Sequence, residues 1–297
     1  MTRPVTRPIL RWHGGKYRLA PWIISHFPPH RVYVEPYGGA ASVLLRKPPA
    51  YAEIYNDLDD EVVNLFRVLR DPQRAARLLH LLELTPFARE EFELSYIPAR
   101  QHVERARRLV ALSYMGFGAN AHAMGGGTGT GRRTGFRSNS NRSHTTPALN
   151  WRNYPAALPA AIERLQGVVI EKRPALEVMT QHDGLATLHY VDPPYMPESR
   201  SPSNKYDLKY RAYRHELTEA DHAELLGALQ QLEGMVVLSG YRTELYDSLL
   251  IDWERHETKA YADGARPRTE CLWLNPAASA ACRRPMQHQI FGAEAAQ

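Results

Sequence analysis

Four consecutive residues, Asp192, Pro193, Pro194 and Tyr195, combine groups that can act together on an amino group. The carboxylate of Asp192 and the carbonyl oxygen of Pro193 can both accept hydrogens from it, and the second proline helps to fix the direction of that carbonyl. Acceptors held in advance shift the nitrogen toward tetrahedral geometry at little cost in reorganisation. Tyr195 adds an aromatic face on which a planar base can stack. The segment is therefore a candidate catalytic centre for chemistry on an amino group of a base.

The same residues would also suit a rigid turn plugged by an aromatic ring, because Asp-Pro is a common turn opener. Their position favours a site. They directly follow the largely apolar run 187–191, and ligands of doubly wound sheets bind at the carboxyl ends of strands.

A second segment is typical of a nucleotide-binding turn. The strand-like run 32–34 leads into five candidate cofactor-binding residues: Glu35, Pro36, Tyr37, Gly38 and Gly39. Paired glycines let the backbone approach a ligand closely. Asp57 lies 19 residues beyond Gly38, close to the roughly 20 at which such folds place a ribose-binding acid. No third glycine completes the dinucleotide pattern, which argues against NAD.

A third candidate segment lies near the N-terminus, where Trp12 and Lys16 flank His13-Gly14-Gly15. Trp12 can cover a purine ring and Lys16 can meet a carboxylate. A basic start with an aromatic residue is ordinary in itself, so this segment gains weight only beside the other two.

These segments need a scaffold that brings them together. Strand-like runs lie at 32–34, 52–55, 168–170, 187–191, 235–238 and 271–274, and helical periodicity marks 61–69 and 221–232. This alternation predicts an α/β fold with a Rossmann-like, doubly wound, mostly parallel sheet. Residues after Pro276 are Ala-rich without clear periodicity, so we interpret 276–297 as a C-terminal tail.

The middle of the chain breaks the alternation. Positions 105–162 contain no Asp or Glu, where about six would match the chain average, and they contain eight arginines. A solvated linker could have the same composition, but the exclusion of acidic residues over such a length favours contact with a polyanion. The candidate DNA-binding residues are Arg132, Arg133, Arg137 and Arg142. The glycine run 125–131 lacks the Lys-Ser/Thr ending and the leading strand of a phosphate-binding loop.

Composition narrows the class further. The formal charge is +5, and only six of the 37 basic residues are lysines; arginine suits bidentate contacts to phosphates and guanine edges. Two cysteines predict neither a disulfide framework nor a metal cluster. No secretory signal opens the chain and no apolar run reaches the roughly 20 residues that span a bilayer. We therefore expect a soluble, cytoplasmic protein of bacterial or phage origin, without metal or membrane, as a monomer or weak dimer.

The three segments, in this order, resemble the DNA adenine methylase family of adenine-N6 DNA methyltransferases (the D12 class). Its members carry a Trp-x-Gly-Gly-Lys segment, a Glu-Pro-Phe-x-Gly-type turn, a target-recognition insertion and Asp-Pro-Pro-Tyr. The matches run from about Arg11 to Pro276. Tyr37 replaces the commoner Phe and keeps the ring. Pro174 stands where many relatives carry an acid that addresses the cofactor adenine, so we assign no residue there.

The resemblance implies S-adenosylmethionine as cofactor, held by Trp12, Lys16, Asp57 and Asp192, with Glu35–Gly39 along its methionine end. Asp192–Tyr195 would hold an adenine that has rotated out of double-stranded DNA. Residues 1–86 and 155–275 would form the catalytic domain, and 87–154 the recognition insertion.

Two alternatives stay open at this point. Cytosine N4 or an RNA adenine could occupy the same pocket, and a DNA-binding regulator could use an inactive scaffold of this kind. The sequence leaves the recognition sequence undetermined, and equally whether a restriction enzyme accompanies the protein in a restriction-modification system.

Overall fold

The structure, a computed structural model, describes residues 3–118, 134–139, 145–196, 215–261 and 267–283. The strands are β1 Val32–Glu35, β2 Ala52–Asn56, β3 Val168–Glu171, β4 Thr187–Val191, β5 Met235–Gly240, β6 Glu254–Tyr261 and β7 Pro267–Leu274. The helices are α1 Ala20–Ser25, α2 Asp60–Arg70, α3 Pro72–Leu84, α4 Arg89–Leu94, α5 His102–Met115, α6 Pro147–Arg152, α7 Leu158–Arg164, α8 Ala175–Gln181, α9 Glu219–Leu229, α10 Glu244–Leu249 and α11 Pro276–Arg283, with a 3₁₀ turn at Pro155–Ala157.

The seven strands form one sheet in the order β3-β2-β1-β4-β5-β7-β6. β1 to β5 run parallel, whereas β7 is antiparallel to both β5 and β6. This confirms the predicted Rossmann-like, mostly parallel α/β fold. The chain turns from β1 toward β2 on one side, while β4 lies against β1 on the other. Such a switch point opens a crevice at the carboxyl ends of the two strands.

The burial of the strands explains why the sequence forms this sheet. Every residue of β4 and of β5 is buried, as expected for central parallel strands with both faces covered. On one face α2 presents six buried apolar residues toward the core. Its start is fixed by Asp59, whose side chain accepts a hydrogen bond from the Glu61 amide, a standard N-cap.

Several elements differ from the sequence prediction, and three of them are informative. β6 was not predicted, because its polar sequence ERHETKAY lacks an apolar run and lies at the sheet edge. The helix predicted at 221–232 ends at Leu229. The predicted tail begins with α11, which packs on the sheet with Ala278 and Ser279 buried; a short Ala-rich helix buries small side chains and leaves little periodic signal.

The described part of the predicted insertion shares the main core. Its buried residues, including Phe92, Leu109 and Trp151, lie in the same apolar cluster as Tyr33 of β1 and Leu65 of α2. The Trp151 indole donates a hydrogen bond to the Thr85 carbonyl at 2.7 Å. α4, α5 and α6 are therefore built onto the catalytic scaffold and do not carry a separate core. None of the described helices is long and apolar enough to cross a membrane.

Candidate active site

A cavity of about 280 Å³ opens at the switch point between β1 and β4. All nine residues predicted to bind the cofactor line it: Trp12, Lys16, Glu35, Pro36, Tyr37, Gly38, Gly39, Asp57 and Asp192. Pro194 also lines it. The structure therefore brings the N-terminal segment, the glycine turn and two residues of the predicted catalytic segment, Asp192 and Pro194, to one place, whereas Pro193 and Tyr195 are not among the lining residues.

The glycine turn is built so closely that side chains are excluded. A Cβ at Gly38 would lie 2.2 Å from the Tyr55 ring. Gly39 has a φ of 47° and a Cβ there would lie 2.7 Å from the Trp12 indole nitrogen. Both constraints require glycine, and they leave the backbone of the turn open to the cavity beside the Trp12 ring.

Asp57 is tied to the same turn. One of its carboxylate oxygens accepts the Gly39 amide at 2.8 Å, and the other accepts the Asp59 amide at 2.7 Å. Burial nevertheless outweighs these hydrogen bonds and raises the pKa of Asp57 to about 6. The carboxylate thus faces the cavity as an acceptor that can be protonated in mildly acidic solution.

Asn56, fully buried, connects the turn to the loop after β3. Its amide nitrogen donates to the Pro36 carbonyl at 2.9 Å and to the Arg173 carbonyl at 3.0 Å, and its oxygen accepts the Arg173 amide at 2.9 Å. This loop contributes an apolar wall, formed by Pro174, Ala175 and Leu176. Pro174 therefore reaches the cavity, although it offers no acid for a nucleobase.

Glu35 lines the cavity and is buried, with 3% of its surface exposed. One carboxyl oxygen accepts the Tyr33 hydroxyl at 2.7 Å and the Leu44 amide at 3.0 Å. Burial raises the pKa of Glu35 to about 8. The side chain is thus mostly protonated at neutral pH, and its hydrogen bonds hold the cavity lining in place.

Lys16 and Asp192 form an ion pair of 2.9 Å between Nζ and Oδ1. Lys16 lies just before α1 and is buried, and its ammonium also donates to the Gly14 carbonyl at 2.9 Å. Burial raises the pKa of Asp192, while the Lys16 charge opposes that rise. The structure therefore places the ammonium predicted for the cofactor against the catalytic acid.

Tyr195 is held by side chains of the strands β5 and β7. Its hydroxyl donates a hydrogen bond to Glu270 Oε1 on β7 and lies 3.2 Å from the Ser239 hydroxyl on β5. Its ring meets Tyr241 edge to face, with centroids 4.6 Å apart. Glu270, Ser239 and Tyr241 were not predicted. The only signal was an acid directly before the buried run 271–274.

The predicted DNA-binding arginines are mostly outside this description. Arg132, Arg133 and Arg142 lie beyond the described residues. Arg137 is half-buried and donates to the Tyr114 carbonyl at 3.3 Å.

Two further observations concern metal-type side chains. Within the described ranges, no group of three or more His, Cys, Asp or Glu side chains could hold a metal ion. His189 is fully buried in β4, and its Nε2 lies 3.2 Å from Asp183, an environment typical of a core histidine.

The sheet order and the cavity at its switch point define an α/β enzyme of the methyltransferase type. The chain belongs to the D12 class N6 adenine-specific DNA methyltransferase family, whose model matches residues 12–262. Among similar proteins, the Type II methyltransferase M1.LlaDCHI of Lactococcus lactis subsp. cremoris is 24% identical over 278 residues, covering 86% of this chain and 88% of the relative. The DNA adenine methylase of Escherichia coli K12 is 27% identical over 232 residues (72% and 76%), and that of Serratia marcescens 35% over 104 residues (32% and 38%).

The protein is accordingly a site-specific adenine DNA methyltransferase, and its substrate is DNA. Of the alternatives, a cytosine or RNA acceptor and an inactive regulator lose their support, because the family and the E. coli and S. marcescens relatives are named for adenine methylation of DNA.

Proposed function

We propose that this chain methylates N6 of an adenine rotated out of double-stranded DNA, using S-adenosylmethionine held in the cavity between β1 and β4. The observation that carries the proposal is that Asp192 lines the same cavity as Gly38 and Gly39. An acceptor for the amino group and a cradle for the cofactor thus share one wall.

The residues present fit the cofactor. Trp12 and Tyr37 offer ring faces, Asp57 offers a carboxylate at the end of β2, and Pro174 and Leu176 offer an apolar wall. The close packing of Gly39 on Trp12 lets backbone and ring approach a ligand together. When bound, S-adenosylmethionine supplies a methyl group on a positively charged sulfur.

The chain's own residues would prepare the amino nitrogen. Lys16 contacts Oδ1 of Asp192, so we assign the target amino group to Oδ2. The second hydrogen of the amino group is donated in a hydrogen bond to the Pro193 carbonyl oxygen. Both acceptors draw hydrogens away from the nitrogen and localise its lone pair, and the proton that methylation releases can pass to Asp192. Stacking on Tyr195 would hold the base once it has left the helix.

Asp192→Ala tests the assignment. We expect methyl transfer from labelled cofactor to unmethylated DNA to fall by about a thousand-fold or more, on the scale of losing a preorganised acceptor. Unfolding temperature should stay within a few degrees, and cofactor affinity by calorimetry should change much less than turnover. Asp252→Ala, at an exposed acid far from the cavity, is the control. Near-normal turnover in Asp192→Ala would overturn the proposal.

Product analysis tests the acceptor separately. Digestion of the methylated DNA to nucleosides should give N6-methyladenine, and N4-methylcytosine in its place would refute the assignment. Sequencing of a methylated plasmid library with detection of modified bases would give the recognition sequence. A restriction-modification partnership, of the kind that the L. lactis relative's type II name denotes, and the state of monomer or weak dimer remain predictions.

A further inference from the structure

We propose that Glu270 is a positioning residue for methyl transfer: through one carboxylate oxygen it anchors the Tyr195 hydroxyl and shares Lys16 with Asp192. The inference rests on the proposed function of the Asp192–Tyr195 segment. It assigns a role to the last strand of the sheet, which the sequence segments of the site do not include.

The burial of Glu270 is the first argument. It has 3% of its surface exposed and precedes four buried residues, Cys271 to Leu274. An acid in such a place is costly unless it is paired and hydrogen-bonded. Its contacts with Tyr195, Ser239 and Lys16 all converge on Oε1.

These contacts point toward the catalytic segment. Tyr195 lies 75 residues before Glu270 in the chain, on the loop that follows β4. Ser239, on β5, donates a hydrogen bond to the same Glu270 oxygen at 3.2 Å. A hydroxyl fixed in this way fixes the direction of the ring axis, and the edge contact with Tyr241, with ring centroids 4.6 Å apart, limits rotation of the ring about that axis. A stacking surface that is already oriented loses less entropy when a base arrives.

The charges give the second argument. Lys16 Nζ lies 2.9 Å from Asp192 Oδ1, 3.6 Å from Glu270 Oε1 and 4.6 Å from the Tyr195 ring centre. One ammonium thus stands between two buried acids. Burial raises the pKa of Asp192 most, the Lys16 charge lowers it, and the negative charge of Glu270 raises it again, because like charges oppose each other's ionisation. Among the described residues, Tyr195, Tyr190, Tyr246 and Glu35 also interact electrostatically with Asp192.

Two substitutions separate anchoring from charge. Glu270→Ala removes both, and we expect the single-turnover rate at saturating DNA and S-adenosylmethionine to fall roughly ten- to hundred-fold, the range for losing a hydrogen bond to a charged group. The dissociation constant of S-adenosylmethionine should change less than about threefold. Glu270→Gln keeps an acceptor for Tyr195 without the charge, so its rate should recover most of the loss. Its pH-rate profile should have the acidic limb moved to lower pH.

The matched control is Glu257→Gln on the neighbouring strand β6. Glu257 is 44% exposed in its side chain and pairs with Arg255 at 3.0 Å. We expect both the wild-type rate and the wild-type acidic limb in this variant.

A double-mutant cycle with Tyr195→Phe tests the contact from its other side, with the folded fraction of each variant measured by circular dichroism. Both variants break the same hydrogen bond. The fold-loss in rate of the Glu270→Ala/Tyr195→Phe double variant should therefore be clearly smaller than the product of the fold-losses of the two single variants. Full multiplication would overturn the proposal. A Glu270→Ala rate within twofold of wild type would overturn it as well. The same holds if the loss of rate in Glu270→Ala equals the fraction of that variant that is unfolded, or if the acidic limb of the Glu270→Gln pH-rate profile does not move. A normal Glu270→Ala beside an inactive Asp192→Ala would refute this inference alone, whereas an active Asp192→Ala would refute the proposed function.

Discussion

The ammonium of Lys16 lies 2.9 Å from Oδ1 of Asp192, which joins the N-terminal segment to the catalytic segment across the mouth of the switch-point cavity. This contact adds a role toward the acid to the role toward the cofactor that is predicted for Lys16. A carboxylate buried in an apolar crevice resists ionisation, and a neighbouring cation restores the charged form that accepts hydrogens.

Lys16→Met should therefore raise the pKa of Asp192 further. We expect the acidic limb of the pH-rate profile to move to higher pH, opposite to the shift expected for Glu270→Gln. Rates measured from pH 5 to 9 would show it, with Lys259→Met, at an exposed lysine of β6, as the control. An unchanged limb would mean that Lys16 does not influence the ionisation of Asp192.

Gly39→Ala should damage the cofactor site specifically. Its φ of 47° and the 2.7 Å approach to Trp12 force the turn or the indole to move, so we expect affinity for S-adenosylmethionine to fall by about tenfold or more. Calorimetry measures this directly. Gly227→Ala in α9 meets nothing within 4 Å, so it should bind normally and gain up to about 1 kcal/mol of stability. Equal affinities in the two variants would contradict the cradle.

Asp57 should make cofactor binding sensitive to pH. Its pKa of about 6 means that the acceptor is protonated in mildly acidic solution, so wild-type affinity should decline as pH falls through 6. Asp57→Asn should bind more weakly at pH 8 and lose this pH dependence. The exposed Asp252→Asn should keep the wild-type curve. If the affinity of the wild-type protein did not change between pH 5 and 8, Asp57 would not contact the cofactor as a carboxylate.

Glu35 should make folding stability depend on pH. Its pKa is about 8 in the folded protein and about 4.3 in an unfolded chain. Because the folded value is higher, its stabilising contribution is complete below about pH 4.3 and is lost as pH rises through 8. Glu35→Gln should remove this loss, so urea midpoints of wild type and variant should diverge in favour of the variant from pH 5 to 8. Parallel curves would contradict a raised pKa, and the exposed Glu257→Gln should follow wild type.

The sequence predicted those parts of the fold and site that leave a local signature. β4 was predicted residue for residue, because its run is largely apolar and ends at the Asp-Pro-Pro turn, and the residues after it were predicted from the chemistry of strand ends. The contact between Glu270 and Tyr195 joins residues 75 positions apart, and nothing in either neighbourhood announces the other. β6 was missed for a related reason, since its alternating polar residues only become a strand once β7 provides a partner.

The order β5-β7-β6 has a consequence for synthesis on the ribosome. β6 is made before β7 but pairs with the sheet only through it, so the emerging chain must hold β6 unpaired until residues 267–274 have left the exit tunnel. Glu270 arrives with that strand. A chain that stops before β7 contains strands β1 to β5 and the residues that line the cavity, but it lacks the proposed anchor for Tyr195, so methylation competence would be acquired in one late step of translation.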